Sequence, residues 1–330
     1  MLALGLESGR VMLVDEATGE EKWAVQAHPL DSETKVAMSP GNGRFVASVG
    51  EIDEKWKLWD AASGALHRVG ATHDGTGACI CAVQDVAQRV LHEGCPVVAH
   101  IWELTTLAFS PCGQRFATGG EDGAVIVWDS QTGEAGQRMQ GGAGRAIWTV
   151  SFSADGARLA SGNDDCSIRV WDVATGGLLR TIPAAHDGFL VAVCFSPTDN
   201  RILASAGASS QTHLWDVDSG EKIRSIAGSR FAVFSPDGRT IASAIANTTR
   251  DLRLIDAESG ALRFRLVGHE DHVSCASFSV DDGSKLASGS SDGTCKVWDS
   301  STGALLRTIN AGAEGYLAHK KPPPPPRTLQ

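Results

Sequence analysis

The strongest constraint on this chain is the stretch Ala287-Ser288-Gly289-Ser290-Ser291-Asp292-Gly293-Thr294-Cys295-Lys296-Val297-Trp298-Asp299, because versions of it recur along the whole sequence. Aligned on the closing Trp-Asp, copies end at Trp59-Asp60, Trp128-Asp129, Trp171-Asp172 and Trp215-Asp216, with worn copies at Val14-Asp15 and Ile255-Asp256. The seven closing aspartates are separated by 45, 69, 43, 44, 40 and 43 residues. A unit this short cannot bury its own apolar face, so near-equal units must stack on their neighbours, and a period of about 40 to 45 residues is that of a four-stranded propeller blade. The step of 69 needs its own explanation.

Inside each unit apolar and polar residues alternate in runs of about five, the strand period. The fourth unit predicts strands a to d at Ile147 to Phe152, Arg158 to Gly162, Ser167 to Trp171 and Leu178 to Ile182. Ser153-Ala154-Asp155-Gly156, Asn163-Asp164-Asp165 and Val173-Ala174-Thr175-Gly176 supply the turns, with glycine free to take positive φ. Other units carry Phe-Ser-Pro-Asp-Gly hairpins such as Phe234-Ser235-Pro236-Asp237-Gly238, Leu-Ala-Ser-Gly strands and Gly-His or His openings. A train of such motifs from Leu2 to about Asn310 resembles the WD40 repeat family, which implies an all-β, seven-bladed β-propeller forming one domain over residues 1–318.

The first unit is short. Leu2 to Leu6, Arg10 to Val14 and Glu21 to Val25 serve as strands b, c and d, and no strand a precedes Met1. An unpaired edge beside a central channel is unstable and sticky, so residues around Gly315-Tyr316-Leu317-Ala318 are expected to fold back and supply it.

Two alignments compete for the long step. His73 precedes Trp102 by 29 residues, as His269 precedes Trp298, which would make residues 73–103 a degenerate repeat. Alternatively His100 opens the third blade, since it precedes Phe109 by nine residues, as His186 precedes Phe195 and His269 precedes Phe278. A five-residue strand is about 17 Å long, whereas the few residues after Trp102 reach only about 10 Å, too little to return without a strand d. Seven blades are therefore expected, with an insertion of about 26 residues at 73–99. Within it Ile80, Val83, Ala87, Val90 and Leu91 fit an amphipathic helix over Cys79 to His92, and a decayed repeat of loose strands fits as well. Cys79, Cys81, His92 and Cys95 lack a standard zinc spacing, so no metal and no cofactor are expected.

Ser, His, Asp and Trp recur together in a pattern that resembles a catalytic triad. The set is His28, Ser48, Asp53, Trp59; His100, Thr118, Asp122, Trp128; and His269, Ser288, Asp292, Trp298. Ser161, Asp165 and Trp171 lack a histidine, while His186, Ser205 and Trp215 offer Ser209 where the aspartate belongs. In the WD40 family such a set resembles a buried hydrogen-bond network holding the blade. Repetition agrees, because a catalytic site occurs once, and a buried indole N–H or imidazole left unpaired costs about 1–3 kcal/mol. Blade six, around Thr249 and Ile255, has lost most of the set and is expected to be the loosest interior blade.

Lys and Arg number 29 against 39 Asp and Glu, a net charge of −10, which opposes binding to nucleic acid or an acidic membrane surface. The eight cysteines lack the pairing of a secreted disulfide framework, and no apolar run reaches the ~18 residues of a membrane span. The chain reads as cytoplasmic. By the resemblance, partners meet the face carrying the d–a and b–c loops, where Glu51, Glu121, Arg145, Asp164, Asp187, Gln211, Arg230, Asn247, Asp271 and Ser290 are expected. Acidic groups predominate there, so a basic or neutral protein or peptide is the expected partner of a non-catalytic scaffold. Two alternatives stay open: a specific peptide reader at the channel mouth, and the propeller part of a larger signalling or ciliary assembly. The tail, residues 319–330, holds Pro322 to Pro326 between Lys320 and Arg327, a polyproline segment with the pattern of an SH3-domain ligand.

Overall fold

In a computed structural model, the described residues are 1–6, 8–15, 18–30, 34–40, 43–50, 52–53, 55–71, 103–140, 145–207, 211–244, 250–279 and 282–310. They form seven antiparallel sheets and no helix. Blade one holds β1 (Leu2–Gly5), β2 (Arg10–Val14) and β3 (Glu21–Gln26); blade two β4 (Thr34–Met38), β5 (Phe45–Gly50), β6 (Lys55–Asp60) and β7 (Leu66–Ala71); blade three β8 (Leu104–Phe109), β9 (Arg115–Gly120), β10 (Ala124–Asp129) and β11 (Ala135–Gln140). Blade four holds β12 (Ile147–Phe152), β13 (Arg158–Asn163), β14 (Ile168–Asp172) and β15 (Leu178–Ile182); blade five β16 (Leu190–Phe195), β17 (Ile202–Gly207), β18 (Gln211–Asp216) and β19 (Lys222–Ala227). Blade six holds β20 (Ser229–Phe234), β21 (Thr240–Ala244), β22 (Leu252–Asp256) and β23 (Leu262–Leu266); blade seven β24 (Val273–Phe278), β25 (Lys285–Ser290), β26 (Thr294–Asp299) and β27 (Leu305–Asn310). Six sheets run in chain order with four strands, and the first has three. The expected strands of blade four are found within a residue of their predicted ends. The 73–99 insertion, the Gly315–Ala318 closure and the proline tail lie outside the described residues.

The radial order follows from burial. β13 is buried along most of its length, whereas Leu178 to Thr181 of β15 are exposed at the rim. The apolar cores lie between blades. Ile168, Val170 and Ile182 of blade four pack with Leu190, Phe195 and Trp215 of blade five. Leu4, Met12 and Val14 of blade one pack with Cys295, Val297 and Ile309 of blade seven, which brings the two ends of the ring together. Each fully buried large side chain contributes about 1.5–3 kcal/mol, so the ring is held by wedges shared between neighbours. Gly5 lies so close to β4 that a Cβ would meet the Thr34 carbonyl oxygen at 2.2 Å, so β1 abuts the second blade there.

In all seven blades the c–d register slips at the closing residue or one or two positions before it. The closing aspartate organises the turn that follows: Asp299 Oδ1 accepts Ser301 N (2.9 Å) and Thr302 N (2.8 Å), and Gly303 completes the turn at φ 73°. Asp60, Asp172, Asp216 and Asp256 accept amides of their own turns in the same way. The aspartate that marks each repeat is thus a turn cap.

Candidate interaction surfaces and the polar anchors

The recurrent polar residues meet at the centre of five blades, two to five and seven. In blade seven, Trp298 Nε1 donates to Ser288 Oγ (2.8 Å), Ser288 Oγ lies 2.8 Å from His269 Nε2, and His269 Nδ1 lies 2.9 Å from Asp292 Oδ2. A hydroxyl has one proton to give, so Ser288 accepts from the indole and donates to Nε2, leaving Nδ1–H to face the carboxylate. Burial lowers the His269 pKa against the opposing pull of Asp292, so the ring is neutral at pH 7. Asp292 also accepts Thr294 Oγ1 (2.6 Å) and Glu270 N (2.8 Å), and its pKa is lowered to about 2: burial raises it, but these hydrogen bonds outweigh burial. Blade two repeats the geometry with Trp59, Ser48, His28 and Asp53 at 2.9, 2.9 and 2.7 Å.

The other blades keep parts of the set. In blade three Trp128 Nε1 donates to Thr118 Oγ1 (2.8 Å) and Asp122 takes Arg138 (2.9 Å); His100 lies outside the described residues. In blade four Trp171 reaches Ser161 (3.1 Å), and Asp165 holds Ser167 (2.5 Å) and Arg169 (2.6 Å). In blade five Ser205 takes Trp215 Nε1 (2.7 Å) and lies 2.7 Å from His186 Nε2, and the His186 ring stacks on His213 with centroids 4.4 Å apart. Burial, then the neighbouring His213 and Lys222, push the His186 pKa down to about 4. In blade six the hydroxyl of Ser243 turns to the Phe231 carbonyl (3.0 Å), and Ile255, 2% exposed, fills the place of the indole; Thr249 lies outside the described residues.

Two features of this layer escape sequence reasoning. One is the His186–His213 stack. The other is a basic partner for the b–c turn carboxylates: Lys57 on Asp53, Arg138 on Asp122, Arg169 on Asp165 and Arg265 on Asp251. Lys57 and Arg169 stand four residues after their aspartates, a spacing visible in the sequence.

Antiparallel order brings b–c turns and d–a connections to the same end, and backbone hydrogen bonds join them: Glu121 N to Glu103 O, Asp164 N to Ala146 O, Ser291 N to His272 O. Arg145, Asp187 and Gln211 are exposed at this end, and Glu121, Asp164 and Asp271 are half-buried. Ser290 corrects the expectation: it closes β25 opposite Val273, is fully buried, and donates to the Asp271 carbonyl (3.0 Å). Glu51 and Asn247 lie outside the described residues, as does the Arg230 side chain. The paired turn carboxylates make this end less acidic than a count of its aspartates implies.

The channel is a cavity of about 800 Å³ lined by the inner strands, with Phe109, Phe189 and Phe231 among largely aliphatic neighbours. Cys275 and Cys295 also line it, and burial pushes the Cys295 thiol up to about 12. Among the described residues no three His, Cys, Asp or Glu side chains converge as a metal would require, and no helix is long and apolar enough to cross a membrane.

Comparison with known proteins gives the same picture. The model of the WD domain, G-beta repeat, matches residues 95–129, 136–172, 176–216 and 260–299. The chain is 31% identical over 245 residues to nuclear distribution protein PAC1 of Coccidioides posadasii, covering 64% of this chain and 51% of that protein. It is 25% identical over 334 residues to WD repeat-containing protein 1 of Gallus gallus, covering 92% and 46%, and 30% identical over 140 residues to a guanine nucleotide-binding protein subunit beta of Zea mays, covering 39% and 36%. The chain thus spans about half or less of the length of these relatives. With four matched repeats, seven blades of one pattern and WD-repeat relatives, the chain belongs to the WD40 repeat family.

Proposed function

We propose that the protein is a non-catalytic scaffold that receives a protein or peptide partner on the d–a and b–c loop face. One observation carries this reading. The hydroxyls, imidazoles and indoles at the blade centres are committed to one another, whereas Asp187, Arg145 and Gln211 stand exposed at the d–a and b–c end. The Ser288 hydroxyl already serves an indole and an imidazole and is 1% exposed, which suits an anchor better than a nucleophile. Residues 1–318 act as one propeller domain and 319–330 as a separate tail offering a polyproline ligand to an SH3-type domain. The free cysteines fit a reducing, cytoplasmic setting.

A narrower reading is favoured by Phe189, which lines the channel two residues from exposed Asp187: an aromatic wall beside a carboxylate suits the apolar stem and charged head of a basic peptide side chain. The chain would then be a peptide reader, or the propeller part of a larger assembly. Affinity capture with Asp164→Lys plus Asp187→Lys, against Glu258→Lys on a c–d turn at the opposite face, tests the choice of face. Loss of partner with the double variant alone is expected; equal recovery from both variants overturns it.

A further inference from the structure

Two residues before the first member of the closing pair, strand c carries a Lys or Arg in four blades: Lys57, Arg169, Arg253 and Lys296. Each stands directly across from a serine of strand b: Ser48, Ser161, Ser243 and Ser288. Three of the four are engaged inside their own blade. Lys57 and Arg169 pair with Asp53 and Asp165 at 3.1 and 2.6 Å, and Lys296 donates to Thr308 Oγ1 at 3.0 Å. Arg253 makes no such contact among the described residues, and its half-buried side chain leaves Nε–H shut off from water without an acceptor.

Blade six also sets a second arginine against it. Leu252, Leu254 and Leu266 pack toward blade seven, so Arg253 and Arg265, paired across strands c and d, stand on the side toward blade five. Like charges directly opposite repel, and Asp251 is taken by Arg265, with Nε to Oδ2 at 2.5 Å. Exposed Arg250 adjoins Asp251, so three guanidiniums meet one carboxylate and leave two positive charges in a chain of net charge −10. An orphaned N–H and a like-charge pair are both destabilising, and an incoming oxyanion relieves both, because the guanidinium fork fits two oxygens.

We propose that Arg253, assisted by Arg250 and Arg265, receives the carboxylates of an acidic protein segment at the b–c turn end of blade six. Two surplus charges call for two carboxylates, as in a run of Asp or Glu. The site lies at the start of β22, at the same end as Asp164 and Asp187 of blades four and five. A partner on this face would be oriented by opposite charges, its basic groups toward blades four and five and its acidic run on blade six. The site does not depend on the choice of face above, since its test needs no natural partner.

Hexaglutamate is titrated into the intact protein at low salt while the Arg253 Nε–H resonance, assigned by its loss in Arg253→Lys, and the melting temperature are followed; inorganic phosphate is a separate arm. A saturable shift and a rise in melting temperature are expected, with apparent affinity falling at least about tenfold in Arg253→Met, which keeps an apolar stem. Arg239→Met, at the exposed a–b turn of the same blade, is expected to keep both responses. Without hexaglutamate, Arg253→Met is expected to melt no lower than wild type at low salt, because a repulsion is removed. Lower melting of that variant with undiminished binding overturns the proposal in favour of a structural arginine. A response to phosphate and none to hexaglutamate overturns it in favour of a free phosphate site, and equal weakening in both methionine variants overturns it in favour of general surface charge. An unmoved wild-type resonance at millimolar hexaglutamate overturns it even if Arg253→Met fails to fold.

Discussion

Blades five and seven start from the same core and diverge at the histidine. Each buries a tryptophan whose indole donates to a serine, and each serine meets a histidine Nε2. In blade seven the imidazole continues to Asp292, so every polar atom of the chain is satisfied and the charge sits on a largely buried turn carboxylate held by its own hydrogen bonds. In blade five the imidazole stacks on His213, whose Nδ1 has no hydrogen-bond partner among the described residues. The indole–hydroxyl pair recurs in five blades, while the histidine and its partner vary. The indole and its acceptor are therefore the common part of these five blades, and the histidine arm sets how a blade responds to protons.

The largest effect tests the common part. Trp298→Ala and Trp215→Ala each remove a buried indole, 1% and 6% exposed, and are each expected to cost about 3–5 kcal/mol in urea denaturation. Near-equal losses are expected, because both indoles fill the same wedge between blades. A much larger loss for Trp298→Ala would mean that the carboxylate arm, not the indole, organises the blade.

Acid separates the two blades. His186 has a folded pKa of about 4 against an unfolded value near 6.5, so between those values the unfolded chain binds more protons and stability falls as pH drops. The loss through this window is on the order of 3 kcal/mol. Lys222 and His213 add to the penalty, and Asp187 is the carboxylate whose charge acts on the stack, through His213. Asp292 behaves oppositely in cause: its depressed pKa gives stability that is full above about 4 and is lost as pH falls toward 2. His213→Phe keeps a ring, and therefore the burial, on His186 and removes only the His213 charge, so it is expected to make the upper window shallower in part without moving the lower one. Melting temperatures across pH 3 to 7 check it, and an unchanged slope would show that the stack does not titrate with folding.

Ser288→Ala and Ser205→Ala come next, at about 1–3 kcal/mol each, since each removes the acceptor of a buried indole. In blade seven Asp292 still orients the imidazole, so Ser205→Ala is expected to be the costlier of the pair. Chemical denaturation at pH 7.5, where both histidines are neutral, isolates this difference from titration.

How much of this was legible in the chain depends on range. The spacing of the closing aspartates placed seven blades, and a hydroxyl ten residues before the Trp in four blades, as from Ser288 to Trp298, and eleven before it in blade two, placed the indole acceptors, because local period fixes both. Ser290 was misplaced on the loop face because a strand end and a turn start look alike in sequence, and the β25 pairing that buries it comes from Val273. The His186–His213 stack was hidden for the same reason: strand alternation alone does not tell that a strand c side chain will meet the ring arriving from the d–a loop. Trp56, wedged against Phe116 and Trp128 where Gly70 leaves room, likewise depends on two blades at once.

The smallest expected effect asks whether blade five is held from within or from its neighbour. Arg158 Nη1 of blade four lies 2.7 Å from Asp218 Oδ1 of blade five, and both side chains are substantially exposed, at 31% and 49%. Water screens such a pair and two long side chains lose freedom to form it, so Arg158→Gln is expected to cost under about 1 kcal/mol, and less still at high salt. The buried wedge of Ile168, Val170 and Ile182 against Leu190 and Trp215 spans the same boundary and loses nothing to salt. If Arg158→Gln cost more than Ser205→Ala at pH 7.5, surface links between blades would outrank the anchor inside the blade, and the divergence at the histidine would matter less than the boundary it sits beside.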